Sequence, residues 1–236
     1  MADRRRVRGA GGRRARWECG AGGRGARWEC GAGGRGARGE CGAGGRRARG
    51  CAVRVIAGRF GGRRLRAPKG TSTTRPTSEK VREAIFSMLG ELVLEDARVL
   101  DLFAGTGALG IEALSRGAAR AVFVERDRAA LAALRANLRE LDLDADEAEV
   151  RRGEALAALR SARAGAETYD LVLIDPPYRR AGGIAGELSP ALAPLLSEQA
   201  RVVVESDRRA PLELSWGEIE RQRRYGDTTI TIHRHV

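Results

Sequence analysis

Between residues 98 and 206, short apolar runs alternate with amphipathic stretches, and this alternation limits the possible fold more than any other feature. RVLDLF (98–103), AVFVE (121–125), EAEVRRG (147–153), YDLVLID (169–175) and ARVVVES (200–206) read as strands. Helical spacing fills the gaps at about 108–116, 128–141, 154–163 and 184–196. Alternating strand and helix predict a mostly parallel sheet covered on both faces, a Rossmann-like α/β architecture. Two further strands near 219–225 and 228–235 are expected to pair as an antiparallel edge, giving seven strands in all. Upstream, RPTSEKVREAIFSMLG predicts one more helix. Pro76 with Thr77 or Ser78 marks its start, Val81, Ile85, Met88 and Leu89 share a face, and Gly90 ends it. In such a sheet a ligand belongs at the carboxyl ends of the strands, near the point where strand order reverses.

The first strand runs into DLFAGTGALG, with Gly105, Gly107 and Gly110 spaced as G-x-G-x-x-G, and Glu125 closes the second strand. The pattern alone fits a dinucleotide site equally well. Charge separates the two readings. A pyrophosphate would sit against the loop and the helix N-terminus. Asp101, just before that loop, would repel it. The same carboxylate attracts an ammonium and a sulfonium, and S-adenosylmethionine (SAM) carries both. Glu125 is then expected to accept from the ribose hydroxyls, and Glu154, after the third strand, to reach the adenine amine.

The fourth strand runs into Asp175-Pro176-Pro177-Tyr178. Two consecutive prolines lack backbone donors and fix φ, so the segment is a stiff loop. The Asp175 carboxylate and the Pro176 carbonyl accept hydrogen bonds, while Tyr178 offers a face for stacking, worth about 1–3 kcal/mol per base. A nucleobase with an exocyclic amine satisfies all three groups. Gripping its hydrogens favours a pyramidal nitrogen whose lone pair can attack a methyl group. The base must leave its stack to enter such a site. Arg179 and Arg180 follow and could contact the phosphates of that nucleotide.

The net charge of +12 is unevenly placed. Residues 1–52 hold 14 arginines against 4 acids, residues 53–82 hold 9 basic residues against 1 acid, and residues 83–236 are −6. A basic arm ahead of an acidic body suits a polyphosphate partner. Residues 16–48 repeat with a period of 11, as RWECGAGGRGA, RWECGAGGRGA and RGECGAGGRRA. Sequence of this composition buries too little apolar area to offset its ordering entropy, so 1–52 is expected to be a disordered Arg/Gly-rich tail. The abrupt change at Val53 also fits a translation start near that residue. All 4 cysteines lie in this tail at spacings of 11, 11 and 10, which match no zinc site, and no metal is expected. No apolar run approaches the roughly 20 residues of a membrane span. Nor is there a signal-peptide core, so a cytoplasmic protein is expected. VRVIAG and RRLRAP around Gly61-Gly62 predict a basic hairpin.

With these motifs in place, the chain resembles the class I SAM-dependent methyltransferases that act on amines. Within that class it is most similar to the bacterial 16S ribosomal RNA guanine-N2 methyltransferases, the RsmD family. RVIAGRFGGRRLRAPKG (54–70), RPTSEKVREAIFSML (75–89), VLDLFAGTGALGIEALSRGA (99–118), VFVERD (122–127), LVLIDPPY (171–178) and YGDTTITI (225–232) carry the resemblance. It implies a hairpin arm over 53–74 and a methyltransferase domain over 75–236. It implies methyl transfer to a guanine N2 of 16S rRNA, with Asp175, Pro176 and Tyr178 at the target base. Asp101, Gly105, Gly107 and Glu125 would hold SAM, with Arg75 and Thr77 near its methionine end. Arg54, Arg59, Arg63, Arg64, Arg66 and Lys69 would grip RNA phosphates. The substrate would be 16S rRNA within a small ribosomal subunit or an assembly intermediate, and the enzyme a monomer.

Three other readings stay open at this stage. A DNA adenine-N6 or cytosine-N4 methyltransferase would use the same Asp-Pro-Pro-Tyr loop. A non-catalytic RNA-binding protein could keep the fold, although intact Asp101 and Asp175 speak against it. A nicotinamide oxidoreductase is disfavoured by the charge at Asp101.

Overall fold

The computed structural model describes residues 53–68, 78–90, 93–177 and 181–235. The expected tail over 1–52 lies outside them, as do Lys69, Arg75, Thr77, Tyr178, Arg179 and Arg180.

Seven strands form one sheet: β1 Arg98–Asp101, β2 Arg120–Glu125, β3 Ala148–Arg152, β4 Tyr169–Ile174, β5 Leu196–Asp207, β6 Glu218–Tyr225 and β7 Thr228–Arg234. Their spatial order is β3-β2-β1-β4-β5-β7-β6. β7 alone runs antiparallel to its neighbours β5 and β6. Strand order reverses between β1 and β4, so the crevice expected for a ligand opens there.

Among the described residues, five helices cover the sheet: α1 Glu79–Leu89, α2 Ala108–Ser115, α3 Arg128–Glu140, α4 Ala155–Ala164 and α5 Ala181–Leu192. Ser78 caps α1 through its side chain, which accepts from the Val81 N–H, and Asp127 caps α3 in the same way at Ala130. These are short polar residues at the position that leaves backbone donors unpaired. Period-two alternation sends Phe123, Leu171, Leu173, Val203, Ile230 and Ile232 to one face, against Ile85, Ile111 and Leu134 of α1, α2 and α3. Val122, Val172, Ile174, Val202 and Val204 take the other face, against Leu159 of α4 and Leu188 and Leu192 of α5.

Two expected bounds need correction. The helix expected over 184–196 ends at Leu192, followed by a single 3-10 turn, and β5 already begins at Leu196. Leu196 and Ala200 are both buried, so the early part of that strand is anchored by its own apolar residues. His233 is buried, and His235 falls beyond β7 with its ring edge-on to Trp216.

The expected hairpin strands are also shorter than their sequence pattern. Only Arg54 and Arg64 form an antiparallel bridge, and Gly58–Phe60 is a 3-10 turn. The ladder stops because the body supplies the partners. The Glu112 carboxylate accepts from the Ile56 and Ala57 N–H groups at 2.7 and 3.1 Å, and Ser115 Oγ accepts from the Phe60 N–H at 3.0 Å. Gly58 makes this docking possible. Its φ is +77°, and a Cβ there would lie 1.7 Å from the Ser115 carbonyl oxygen.

Candidate active site

The carboxyl ends of β1, β2 and β4 gather the acids that the sequence singled out. Asp101 lies in register with Phe123 of β2 and Leu173 of β4. In-register residues of adjacent strands share a face. Glu125 and Asp175 each follow those partners by two residues, so both fall on the Asp101 side of the sheet. Asp101 is buried at 1 % exposure, whereas Asp175 is half-buried. Burial, opposed by the N–H of Gly110 and reinforced by the charges of Asp175 and Glu125, pushes the Asp101 carboxyl up to about 7.

The glycine loop is built around two of these acids. Asp101 Oδ2 accepts from the Gly110 N–H at 3.0 Å. Glu125 Oε2 accepts from the Gly105 N–H at 2.8 Å, while its Oε1 accepts from the Arg126 and Asp127 N–H groups, each at 2.7 Å. Gly105 and Gly107 both have positive φ. A Cβ on Gly110 would lie 2.4 Å from the Phe123 ring, so this position sets how closely α2 approaches β2. Glu154 stands at the N-cap of α4, and its carboxylate pairs with Arg126 at 2.7 Å. Pro176 is buried and Pro177 exposed directly after β4.

Asp101, Gly105, Gly107, Glu125, Asp175 and Pro176 therefore gather at the carboxyl ends of β1, β2 and β4. The hairpin arginines do not join them. Arg59 pairs with Glu147, and Arg63 donates to the Glu140 carbonyl at 2.7 Å. Arg66 bonds the Glu140 carboxylate at 2.8 Å. Glu140 ends α3 and Glu147 precedes β3, which places these contacts toward the amino ends of the strands. Arg54 pairs with Glu79 at 3.2 Å, and Arg64 is exposed.

Sequence reasoning missed Asn137 and Glu112. Asn137 Oδ1 accepts from the Arg66 N–H at 2.7 Å, and its Nδ2 donates to the Thr106 carbonyl at 2.9 Å. It thus joins the hairpin to the glycine loop. The signal was present, since Asn137 interrupts the apolar stripe of Leu131, Leu134 and Leu138 on α3. Glu112 is likewise a lone acid within an otherwise apolar, buried α2.

A cluster of buried and half-buried acids, one of them held protonated by burial, is suited to receive a cation. Comparison with known proteins bears on that reading. The model of the family described as Conserved hypothetical protein 95 matches residues 53–234. The chain belongs to that family. Its members include RsmD proteins, so the resemblance read from the motifs holds. The ribosomal RNA small subunit methyltransferase D of Escherichia coli strain K12 is 40% identical over 157 residues, covering 66% of this chain and 75% of that protein. The YlbH protein of Bacillus subtilis is 39% identical over 189 residues, covering 77% of this chain and 98% of its own length. Among solved structures, the yhhF protein of Escherichia coli matches with a TM-score of 0.65 at 33% identity, over 78% of this chain and 97% of that one. Family membership and the seven-stranded sheet agree on a class I methyltransferase.

Proposed function

We propose that this protein transfers a methyl group from SAM to the exocyclic N2 amine of a guanine in 16S rRNA. One observation carries the reading. Strand register sets a buried acid at the end of β1 beside an Asp-Pro-Pro loop at the end of β4, across the point where strand order reverses.

SAM fits the residues present. Asp101 is an acid whose proton is held by burial and by two neighbouring carboxylates, so a cation beside it relieves the cost of its charge. When bound, SAM supplies an electrophilic methyl group on a sulfonium. Asp101 would hold its cationic methionine end, with Gly105 and Gly107 allowing close backbone approach. Arg75 and Thr77 belong to the same end in this reading. Glu125 would orient the ribose, and Glu154, drawn from its pairing with Arg126, would serve the adenine.

The rest of the work falls to the loop after β4. The Asp175 carboxylate and the Pro176 carbonyl accept the two hydrogens of the guanine amine. That grip removes the amine from conjugation with the ring and aims its lone pair. Tyr178 stacks on the extruded base. Asp175 then receives the proton that the methylated nitrogen releases. Holding the reactants in line supplies much of the acceleration. Arg54, Arg59, Arg63, Arg64, Arg66 and Lys69 contribute positive charge toward RNA. Because several of these arginines already pair with the body, their role in RNA binding includes holding the hairpin in place. The protein works as a cytoplasmic monomer on a small ribosomal subunit or an assembly intermediate. Among the described residues, no helix is long and apolar enough to cross a membrane.

Labelled SAM offered with 30S particles, naked 16S rRNA and duplex DNA tests the proposal. Label in N2-methylguanine of 16S rRNA is the expected product. Label in DNA adenine or cytosine would favour the DNA-modifying alternative, and no transfer to any of the three would leave an RNA-binding protein.

A further inference from the structure

We infer that a groove between α1 and β6 is a second RNA-binding surface, which seats the phosphate backbone flanking the target nucleotide. This rests on the rRNA reading above. The groove holds about 460 Å³ and is lined by Lys80, Glu83, Ala84, Ser87 and Met88 of α1 and by Arg221, Arg223 and Tyr225 of β6. The helix residues follow the i, i+3, i+4, i+7 spacing of one α-helical face. Arg221, Arg223 and Tyr225 alternate along a strand and so share one side of the sheet. That side is fixed by register: Arg221 stands opposite Ile232, and Arg223 opposite Ile230, which pack in the same core as α1.

Charge identifies the occupant. Residues 83–236 are net −6, yet the groove presents Lys80, Arg221 and Arg223 against Glu83 alone. On the rest of the body some arginines, such as Arg116, Arg120 and Arg151, pair with a carboxylate and others, such as Arg128, Arg135 and Arg160, do not among the described residues; Arg221 and Arg223 differ from both sets in lining one groove with Lys80. Arg221 and Arg223 have no carboxylate partner among the described residues. Two positions apart on a strand is about 6.6 Å, close to the step between consecutive phosphates of an extended nucleic-acid strand. Tyr225 adds a half-buried ring beside them.

Topology places the groove where it can act. β6 and β5 are both antiparallel to β7, so β6 runs parallel to β5. Its last residue, Tyr225, pairs with Thr228, which pairs with Asp207 at the carboxyl end of β5. The groove therefore ends on the same rim of the sheet as Asp101, Glu125 and Asp175. The hairpin contacts at Glu140 and Glu147 lie toward the other end. A strand entering the crevice would meet Arg223 and Arg221 as it leaves.

Basic residues on an edge strand also discourage edge-to-edge pairing, and the test separates that role from RNA binding. Affinity for a 16S rRNA transcript and for 30S subunits is measured across a series of salt concentrations. The proteins are wild type, R221Q/R223Q, R221K/R223K and, from the opposite wall, K80Q. R221Q/R223Q is expected to weaken binding to both RNAs on the order of tenfold and to lower the salt slope by about 1.4. R221K/R223K restores most of the slope, and K80Q lowers it by about 0.7. Thermal melts verify that each variant is folded, and K80Q decides the matter should the β6 variants melt early. Wild-type affinity and slope in both glutamine variants would overturn the inference, leaving edge protection. Weakening confined to 30S particles would also overturn it, pointing to a ribosomal protein as the occupant. The rRNA reading fails separately, if wild type transfers no methyl group to either RNA.

Discussion

Asp101 ties stability to ligand binding through a single proton. An unfolded aspartate ionises near pH ~3.9, while burial holds the folded carboxyl protonated up to about 7. Across that window the folded state binds more protons, so stability falls as pH rises through it. Asp101→Asn removes this loss and can still accept from Gly110. At pH 8 without SAM, its melting temperature is expected to exceed that of wild type by at least about 2 °C in a calorimetric scan. Its SAM affinity is expected to collapse, because the cation loses its counter-charge. In wild type, calorimetric titration should show SAM binding weakening about tenfold per pH unit below about 7. Asp175→Asn should move that midpoint to lower pH, since the Asp175 charge helps raise Asp101. It should also lose methyl transfer by at least about a hundredfold while SAM still binds. These acids were legible in the sequence because Asp101 interrupts an apolar run and Asp175 ends one, places where a carboxylate has no packing role. Asn137 and Glu112 were harder to read, because their partners lie 31 to 71 residues away for one and 55 to 56 for the other.

At the scale of elements, the body could be read almost entirely from pattern. Ser78 announced its helix, and each βα unit carries its own apolar run. The hairpin could not be read as well. Val55 and Leu65 donate across it, but the Ile56, Ala57 and Phe60 donors go to Glu112 and Ser115 of α2, and no local pattern encodes that choice. Two substitutions test the docking. Gly58→Ala forces a side chain into the Ser115 carbonyl and should expose the backbone of 53–66 to hydrogen exchange while α3 stays protected. Asn137→Ala leaves the Thr106 carbonyl and the Arg66 N–H without their partner. It should cost about 1–3 kcal/mol in urea unfolding and raise the KM for SAM, because the glycine loop loses its brace.

For the whole molecule, the family match begins at residue 53, where the repeat has given way to patterned sequence. A chain starting at Val53 should therefore melt within about 2 °C of the full chain and methylate rRNA at a similar rate. Comparison of the two by calorimetry and by a methyl-transfer time course checks this. The position of β7 has a different consequence. It occupies 228–234 of a 236-residue chain, yet it lies inside the sheet between β5 and β6. A nascent polypeptide makes β5 and β6 before the strand that belongs between them, and until β7 emerges their facing edges stay open to strangers. Translation cut short after Tyr225 should therefore yield insoluble material, because β5 and β6 are then left without the strand that joins them.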